Sequence, residues 1–509
     1  HWPDVAAYFQ PLSHNAPERP KLRHYEQARV MGGGSSINGQ VANRGTPADY
    51  DEWASLGAQG WDWRSVLPFF RRLERDLDFD GELHGKDGPI PIHRIPRDAW
   101  PRFSIAVTEA LTARGFRDIA DQNGSYGDGW FAQTLSNDGR HRVSAAMGYL
   151  DAATRRRENL AILAEAQIVG LVGAGLRITG VEVERGGARR SLNARAVILS
   201  AGALHSPAIL LRAGIGPAGD LHALGIPVRC DRAGVGRNLQ EHPGISIAAF
   251  LSPAARLGTT TRRHIHAGLR FSSNHPGCPA SDMYMMFAAK SAWHPVGRRV
   301  GTLIAWINKI YSRGHLSLRS PDPHQGPLAS FNFLADPRDA ARLMSAVRFM
   351  ATLVAHPQLA ALLDHASPAS YTGFASALGR QTLRNLLITA PTALALDLVP
   401  AVRRAVFRRF VAGGASLAEL LADDDSLEAH VRARAFGQWH PAGTCRMGDA
   451  SDRDAVVDPV DAHVHGIAGL HVVDASVMPT VPRANLNIPT IMLAEKFAAS
   501  LAMANPSAA

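Results

Sequence analysis

The sequence predicts an α/β (α+β) fold, and three observations lead to it. Residues 160–200 read as strands, LAILAEAQIVGLV, ITGVEVER and AVILSAG. A strand–glycine turn–helix unit comes directly after in AVILSAGALHSPAILLRAGIG, residues 196–216. Elsewhere, apolar residues recur at helical rather than strand spacing, which mixes helices with those strands.

Each element has its own signal. In 196–216, Ala196–Leu199 is a short apolar strand and Gly202 permits a tight turn. Ser206 and Pro207 supply an N-cap with proline at the first helical position, and Ile209, Leu210 and Leu211 fill a helix ending near Gly214. Such a unit presents backbone N–H groups to a phosphate or ring edge, or is an ordinary α/β connection. Asp49–Glu74 carries Trp61, Val66, Leu67, Phe69 and Phe70 at helical spacing, its tryptophans reading as core. FSIAVTEALTAR, residues 103–114, is an amphipathic helix. VGAGLRITG, 172–180, imitates the start of a dinucleotide fingerprint, but Ile178 stands where the third glycine is due. β-Branched residues surround it, so a β-hairpin turning at Gly173 and Gly175 is expected.

Composition removes several function classes. No run of 18 apolar residues occurs, so neither a spanning helix nor a secretory leader is expected. The three cysteines, Cys230, Cys278 and Cys445, form no CxxC pair, against both a disulfide framework and a zinc site. A reducing, cytoplasmic location is expected. The formal charge is +9, but lysine is sparse and the basicity is scattered arginine, so no nucleic-acid partner is expected. The stretch 371–430 differs from the rest. NLLITAPTALAL is apolar and broken by Pro391, and AVRRAVFRRFV, 401–411, puts arginines on one face. Two readings stand: a basic amphipathic helix resting on an anionic membrane, or a lid or interface helix.

Chemistry concentrates in a loop and the C-terminal segments. ARVMGGGSSING, 28–39, is built for close backbone approach to an anion. GQWHPAGTCRMG, 437–448, holds His440 beside a glycine turn. No second metal ligand pair and no GxSxG accompany it, which leaves a general base or a structural histidine. In NLNIPTIMLAEKFA, Asn487 stands just before an apolar helical run, as an N-cap or as a hydrogen-bonding partner in a site.

Together these segments resemble the GMC (glucose–methanol–choline) oxidoreductases. ARVMGGGSSING resembles the family's first signature, and GALHSPAILLRAGIG the second, with Ala213 where serine is usual. VGRNLQEHPG, HPAGTCRMG, HVHGIAGLHVVDASVMP and NLNIPTIMLAEK complete the set in family order over nearly the whole chain. The style is that of bacterial choline-dehydrogenase-like enzymes. The resemblance implies an FAD-binding Rossmann-like domain (1–60, 150–245, 430–509) and a substrate-binding domain on an antiparallel sheet with helices (61–149, 246–429). It implies oxidation of a primary or secondary alcohol by hydride transfer to flavin N5. His440 matches the catalytic base and Asn487 the second active-site position.

The resemblance also assigns cofactor contacts. Arg29, Gly33, Ser35, Asn38 and Val41 match the loop along the pyrophosphate and isoalloxazine, and Ile168 the adenine side. Trp439, Asp474 and Ala475 match positions beside the flavin, and Pro489 and Thr490 its pyrimidine edge. Ile37 stands where some members attach FAD covalently, so non-covalent FAD is expected. One departure is large. The family's opening strand, GxGxxG turn and acidic residue are not in the sequence, and HWPDVAAYFQ resembles the stretch just C-terminal to that unit. Two alternatives are kept: a hydroxynitrile-lyase-like member without redox turnover and, from this departure, a truncated, FAD-free fragment. The electron acceptor is open, with a quinone or other carrier suited to peripheral membrane contact through 401–411.

Overall fold

The computed structural model describes residues 1–12, 20–258, 263–369, 377–411 and 416–504. Its largest sheet is ordered 363–369, 243–251, 300–307, 283–288, 265–271, 129–132 and 118–119, with 436–437 paired to the start of 243–251. Neighbours are antiparallel apart from 118–119 with 129–132. Side chains alternate as the pleat requires. Ile245, Ile247, Leu251, Met283, Met285, Leu303 and Ala305 join the main core, which helices Arg102–Ala113 and Pro337–Val354 close from the same side. Phe250, Tyr284 and Trp306 belong to separate clusters on the other face.

Phe250 and Val300 carry Leu396 and Phe407 there, so the apolar, arginine-rich stretch is a layer packed on this sheet. Contrary to the sequence reading, Pro391 does not break it, because Leu383–Leu398 is one continuous helix. Proline at 391 removes the donor to the carbonyl of Leu387, an exposed residue where water can replace it.

A second assembly holds the glycine-rich segments. Val197–Leu199 pairs in parallel with Leu470–Val472. The meander 167–174, 177–185, 188–193 flanks it, and its first turn is the expected hairpin. Ala174 faces Arg177, and Gly175 takes φ 52° in the turn. The helix after Leu199 differs from expectation, running Gly202–Arg212 with Pro207 inside rather than at its start. Proline cannot donate to the Ala203 carbonyl, and the Thr444 hydroxyl does so instead at 2.6 Å. The tryptophans of 49–74 are core as expected. Trp53 and Trp61 are fully buried and donate to Thr480 O and Pro459 O at 2.9 and 2.7 Å.

Candidate active site

The loop ARVMGGGSSING folds tightly on itself. Gly32 and Gly33 take φ 86° and 55°, the left-handed region that a side chain disfavours, and lead into a short turn of helix over Gly33–Ser36. Ser35 Oγ donates to Gly32 O at 2.5 Å and accepts from Ala145 N at 2.9 Å. Arg142, to which the sequence reading gave no role, holds the loop from below. Its guanidinium donates to Ser35 O, Asn38 Oδ1 and Asn38 O at 2.9, 2.7 and 2.5 Å. Val41 is buried and bridges to Leu135, and Arg29 is exposed with its guanidinium 4.5 Å from the Trp2 ring centroid.

Asp474 joins the two glycine-rich units. Its carboxylate accepts from Ser476 N and Gly202 N, both at 2.8 Å, and from Ser206 Oγ at 2.5 Å. The turn after one parallel strand is thus locked to the helix that succeeds the other. Ala475 O accepts from Gly443 N at 3.1 Å, which brings the His440 loop against this turn.

His440 sits between two polar side chains. Its Nδ1 lies 3.0 Å from His242 Nδ1, and its Nε2 lies 3.1 Å from Asn485 Nδ2. With the amide donating to Nε2, the imidazole proton sits on Nδ1 and faces His242. Beneath, the fully buried Glu241 accepts from His440 N at 2.8 Å, from His242 N at 2.7 Å and from the Tyr25 hydroxyl. Burial, then the neighbouring His242, pushes the His440 pKa well below the usual histidine range. Burial, helped by Lys309, depresses His242 to about 3. Burial raises Glu241 to about 7 against those hydrogen bonds. Two neutral imidazoles over a buried acid are the result.

The residue at His440 Nε2 is Asn485, two positions before the expected Asn487. Asn485 precedes the final helix, and its backbone N donates to Asn43 Oδ1 at 2.9 Å. Asn487 is the first residue of that helix, Asn487–Ala504. Pro489 and Thr490 lie in its first turn, where Thr490 Oγ1 donates to Leu486 O at 2.6 Å. Trp439, 38% exposed with φ 61°, donates through its indole to Glu26 at 3.1 Å. Ile168 lies on the strand Gln167–Ala174, beside a cleft shared with Ile209, Arg212 and Pro323 that contains neither His440 nor Asn485. Sequence reasoning gave no role to Glu241 and His242, although both stand within the motif VGRNLQEHPG.

A second buried polar cluster also has the look of a site. Single ligand atoms of Glu74, Asp76 and His84 lie within 4.8 Å of one another, a spacing a metal could use. Cationic side chains already fill it. Arg44 pairs with Glu74, and Arg94 donates to Asp76 and Asp121 at 2.8 and 3.2 Å. Burial opposes charge on His84, but the Asp121, Asp76 and Glu74 carboxylates outweigh it and raise the ring to about 10. Its Nε2 lies 2.9 Å from Asp121 Oδ2, so His84 is a third cation of the cluster beside Arg44 and Arg94.

The residues around His440 suit a flavin nucleotide. A Cβ added at Gly33 or Gly34 would meet nothing within 4 Å, so the loop backbone is bare to an approaching group. Val30, Met31 and Ile37 expose apolar side chains beside it, and buried Asn485 Oδ1 has no partner. An open glycine backbone, apolar walls and an unpaired carboxamide oxygen match a planar ring with polar edges joined to a phosphate.

Comparison with known proteins agrees. The models of the GMC oxidoreductase N- and C-terminal regions match residues 20–244 and 311–494. The 5-(hydroxymethyl)furfural oxidase of Methylovorus sp. (strain MP688) is 44% identical over 506 residues, covering 98% of this chain and 86% of that protein. The oxygen-dependent choline dehydrogenase of Sinorhizobium fredii is 32% identical, covering 93% and 81%. The crystal structure of pyridoxine 4-oxidase from Mesorbium loti superposes with a TM-score of 0.78 at 25% identity, covering 97% and 88%. The chain belongs to the GMC oxidoreductase family and is an FAD-dependent oxidoreductase.

Proposed function

We propose that the protein oxidises a primary alcohol of the hydroxymethyl-arene or hydroxymethyl-furan type to its aldehyde, with His440 as base and Asn485 as the partner that holds the substrate oxygen. The observation that carries this reading is the 3.1 Å pairing of Asn485 Nδ2 with a His440 Nε2 kept free of protons. The relatives named for 5-(hydroxymethyl)furfural and pyridoxine oxidation support the substrate class.

The chain's own groups divide the work. Gly33–Asn38, with Trp439, Asp474, Ala475, Pro489 and Thr490 beside it, would hold FAD non-covalently, and the bound flavin would supply the acceptor for the hydride. An alcohol oxygen that replaces the direct Asn485–His440 hydrogen bond is oriented by one donor, Asn485 Nδ2, and one acceptor, His440 Nε2. Nε2 takes the hydroxyl proton as the C–H bond breaks, and the amide N–H stabilises developing negative charge on oxygen. The imidazolium so formed has Glu241 under its backbone. Once ionised, that carboxylate offsets the new positive charge, and its position near pH 7 suits this role. The names of the relatives favour molecular oxygen as electron acceptor, while a quinone fits a protein that touches a membrane. We retain the division into an FAD domain (1–60, 150–245, 430–509) and a substrate domain (61–149, 246–429).

The test is anaerobic mixing of FAD-loaded protein with 5-(hydroxymethyl)furfural or benzyl alcohol. Bleaching of the flavin absorbance is expected. An unchanged spectrum would sink the reading, and cyanohydrin cleavage without bleaching would establish the lyase alternative.

A further inference from the structure

The helix Leu383–Leu398 carries two apolar stripes where a surface helix ordinarily carries one. Thr389, Ala393 and Leu396 are 2, 1 and 0% exposed and face the sheet. Leu383, Leu387, Leu394 and Leu398 are 71, 64, 58 and 70% exposed. At 3.6 residues per turn these four leucines share about 60° of arc, on the side away from the buried stripe. Val402 and Phe410, 38 and 51% exposed, extend the apolar surface past Pro400.

Positive charge brackets the stripe. Arg380 and Arg384 stand at one end, and Arg404, Arg408 and Arg409 at the other, all exposed. The one acid between 377 and 411 is Asp397, already held by Arg256 and Arg299 at 2.6 Å each. Arg403 turns inward, donating to Leu396 O at 2.8 Å with its guanidinium 4.4 Å from the Phe250 ring centroid. The outward surface therefore presents leucines flanked by exposed guanidiniums, of which Arg408 has Glu419 nearby.

We propose that this face docks on an anionic lipid bilayer, the leucine stripe entering the acyl boundary and the arginines meeting headgroup phosphates. A bilayer surface supplies hydrocarbon and negative charge in one layered partner. A second copy of the chain fits less well. A two-fold contact sets the same patch against itself, arginines against arginines, and Asp397, the acid within 377–411, is already paired. The helix lies in the interface rather than across it. At about 24 Å it is shorter than a hydrocarbon core, and no helix among the described residues is long and apolar enough to cross a membrane. The inference refines the contact expected at 401–411 by moving its apolar anchor to 383–398, and it stands apart from the alcohol chemistry.

The experiment is flotation of the FAD-loaded full chain with phosphatidylcholine vesicles, with and without phosphatidylglycerol. The protein is expected to float with the anionic vesicles and at least about tenfold less with the neutral ones. Two variants separate the components. Leu387→Asp with Leu398→Asp removes the apolar anchor, and Arg404→Gln with Arg408→Gln and Arg409→Gln removes charge. Each is expected to weaken flotation at least about tenfold, while the rate of flavin reduction stays unchanged and shows that the variants fold. Failure of the wild type to float with anionic vesicles, or flotation of both variants equal to wild type, overturns the proposal. So does a concentration-dependent dimer in light scattering that the leucine variant abolishes without any vesicle binding, which would assign the face to a second copy.

Discussion

Two of the histidines that are largely removed from water in this molecule end in opposite charge states. Burial pushes both toward neutrality. Around His84, three carboxylates reverse that push, and the ring is held as a cation at about 10. Around His440 the neighbours are an imidazole and an amide, and nothing reverses it. The lesson is that partners, not depth, decide what a buried histidine does. The first is fixed as a structural cation, and the second is left able to take a proton.

The largest expected effect tests the neutral histidine. His440→Ala should slow flavin reduction by about 10²–10⁴-fold in stopped-flow measurements. Asn485→Ala should cost about 10²–10³-fold, as for a lost oxyanion donor, whereas Asn487→Ala should stay close to wild type. Equal losses at both asparagines would return the partner role to the position the sequence reading preferred.

The next effect tests the cationic histidine. His84→Gln removes one of three cations from the cluster, leaving Arg44 and Arg94 to face Glu74, Asp76 and Asp121, and should cost about 1–3 kcal/mol in denaturant unfolding. The sign with pH is fixed. The folded pKa lies above the ordinary 6.5, so the stability His84 contributes is present below pH 6.5 and lost as pH rises through about 10. A wild-type protein whose stability does not fall over that alkaline window relative to the variant would contradict the assignment.

The smallest effect concerns the acid under the active site. The folded pKa of Glu241 is raised from 4.5 to about 7, so its contribution is full below pH 4.5 and lost as pH rises through about 7. Glu241→Gln should flatten stability across that window. It should also slow flavin reduction on the alkaline side, where the ionised carboxylate would otherwise offset the charge on protonated His440.

Much of the site was legible in the sequence because it is local. A glycine-rich loop has few ways to fold, and His440 stands out beside its glycine turn. The hairpin at 172–180 was readable from one misplaced glycine. Other features were not legible. Pro207 and Pro391 were read as a helix start and a helix break, yet both sit inside helices, because partners outside the local segment decide whether a lost N–H is tolerated. For Pro207 that partner is Thr444, more than two hundred residues away. Asn485 and Asn487 are equivalent by composition. Two residues apart at the start of a helix, they point in different directions, and only the folded path of the chain shows which one reaches His440.

By itself, the sequence determined the family and the FAD dependence and singled out His440 as the candidate base, since each is carried by a contiguous motif whose residue types admit few alternatives. The tertiary structure alone placed His242 and Glu241 behind that base and assembled His84 with Arg44, Glu74, Asp76, Arg94 and Asp121 into one buried charge cluster. It also turned four leucines outward on a helix whose other side is core. Charge state, pairing and exposure depend on the groups within a few ångströms in space, and residues that meet there are far apart along the chain.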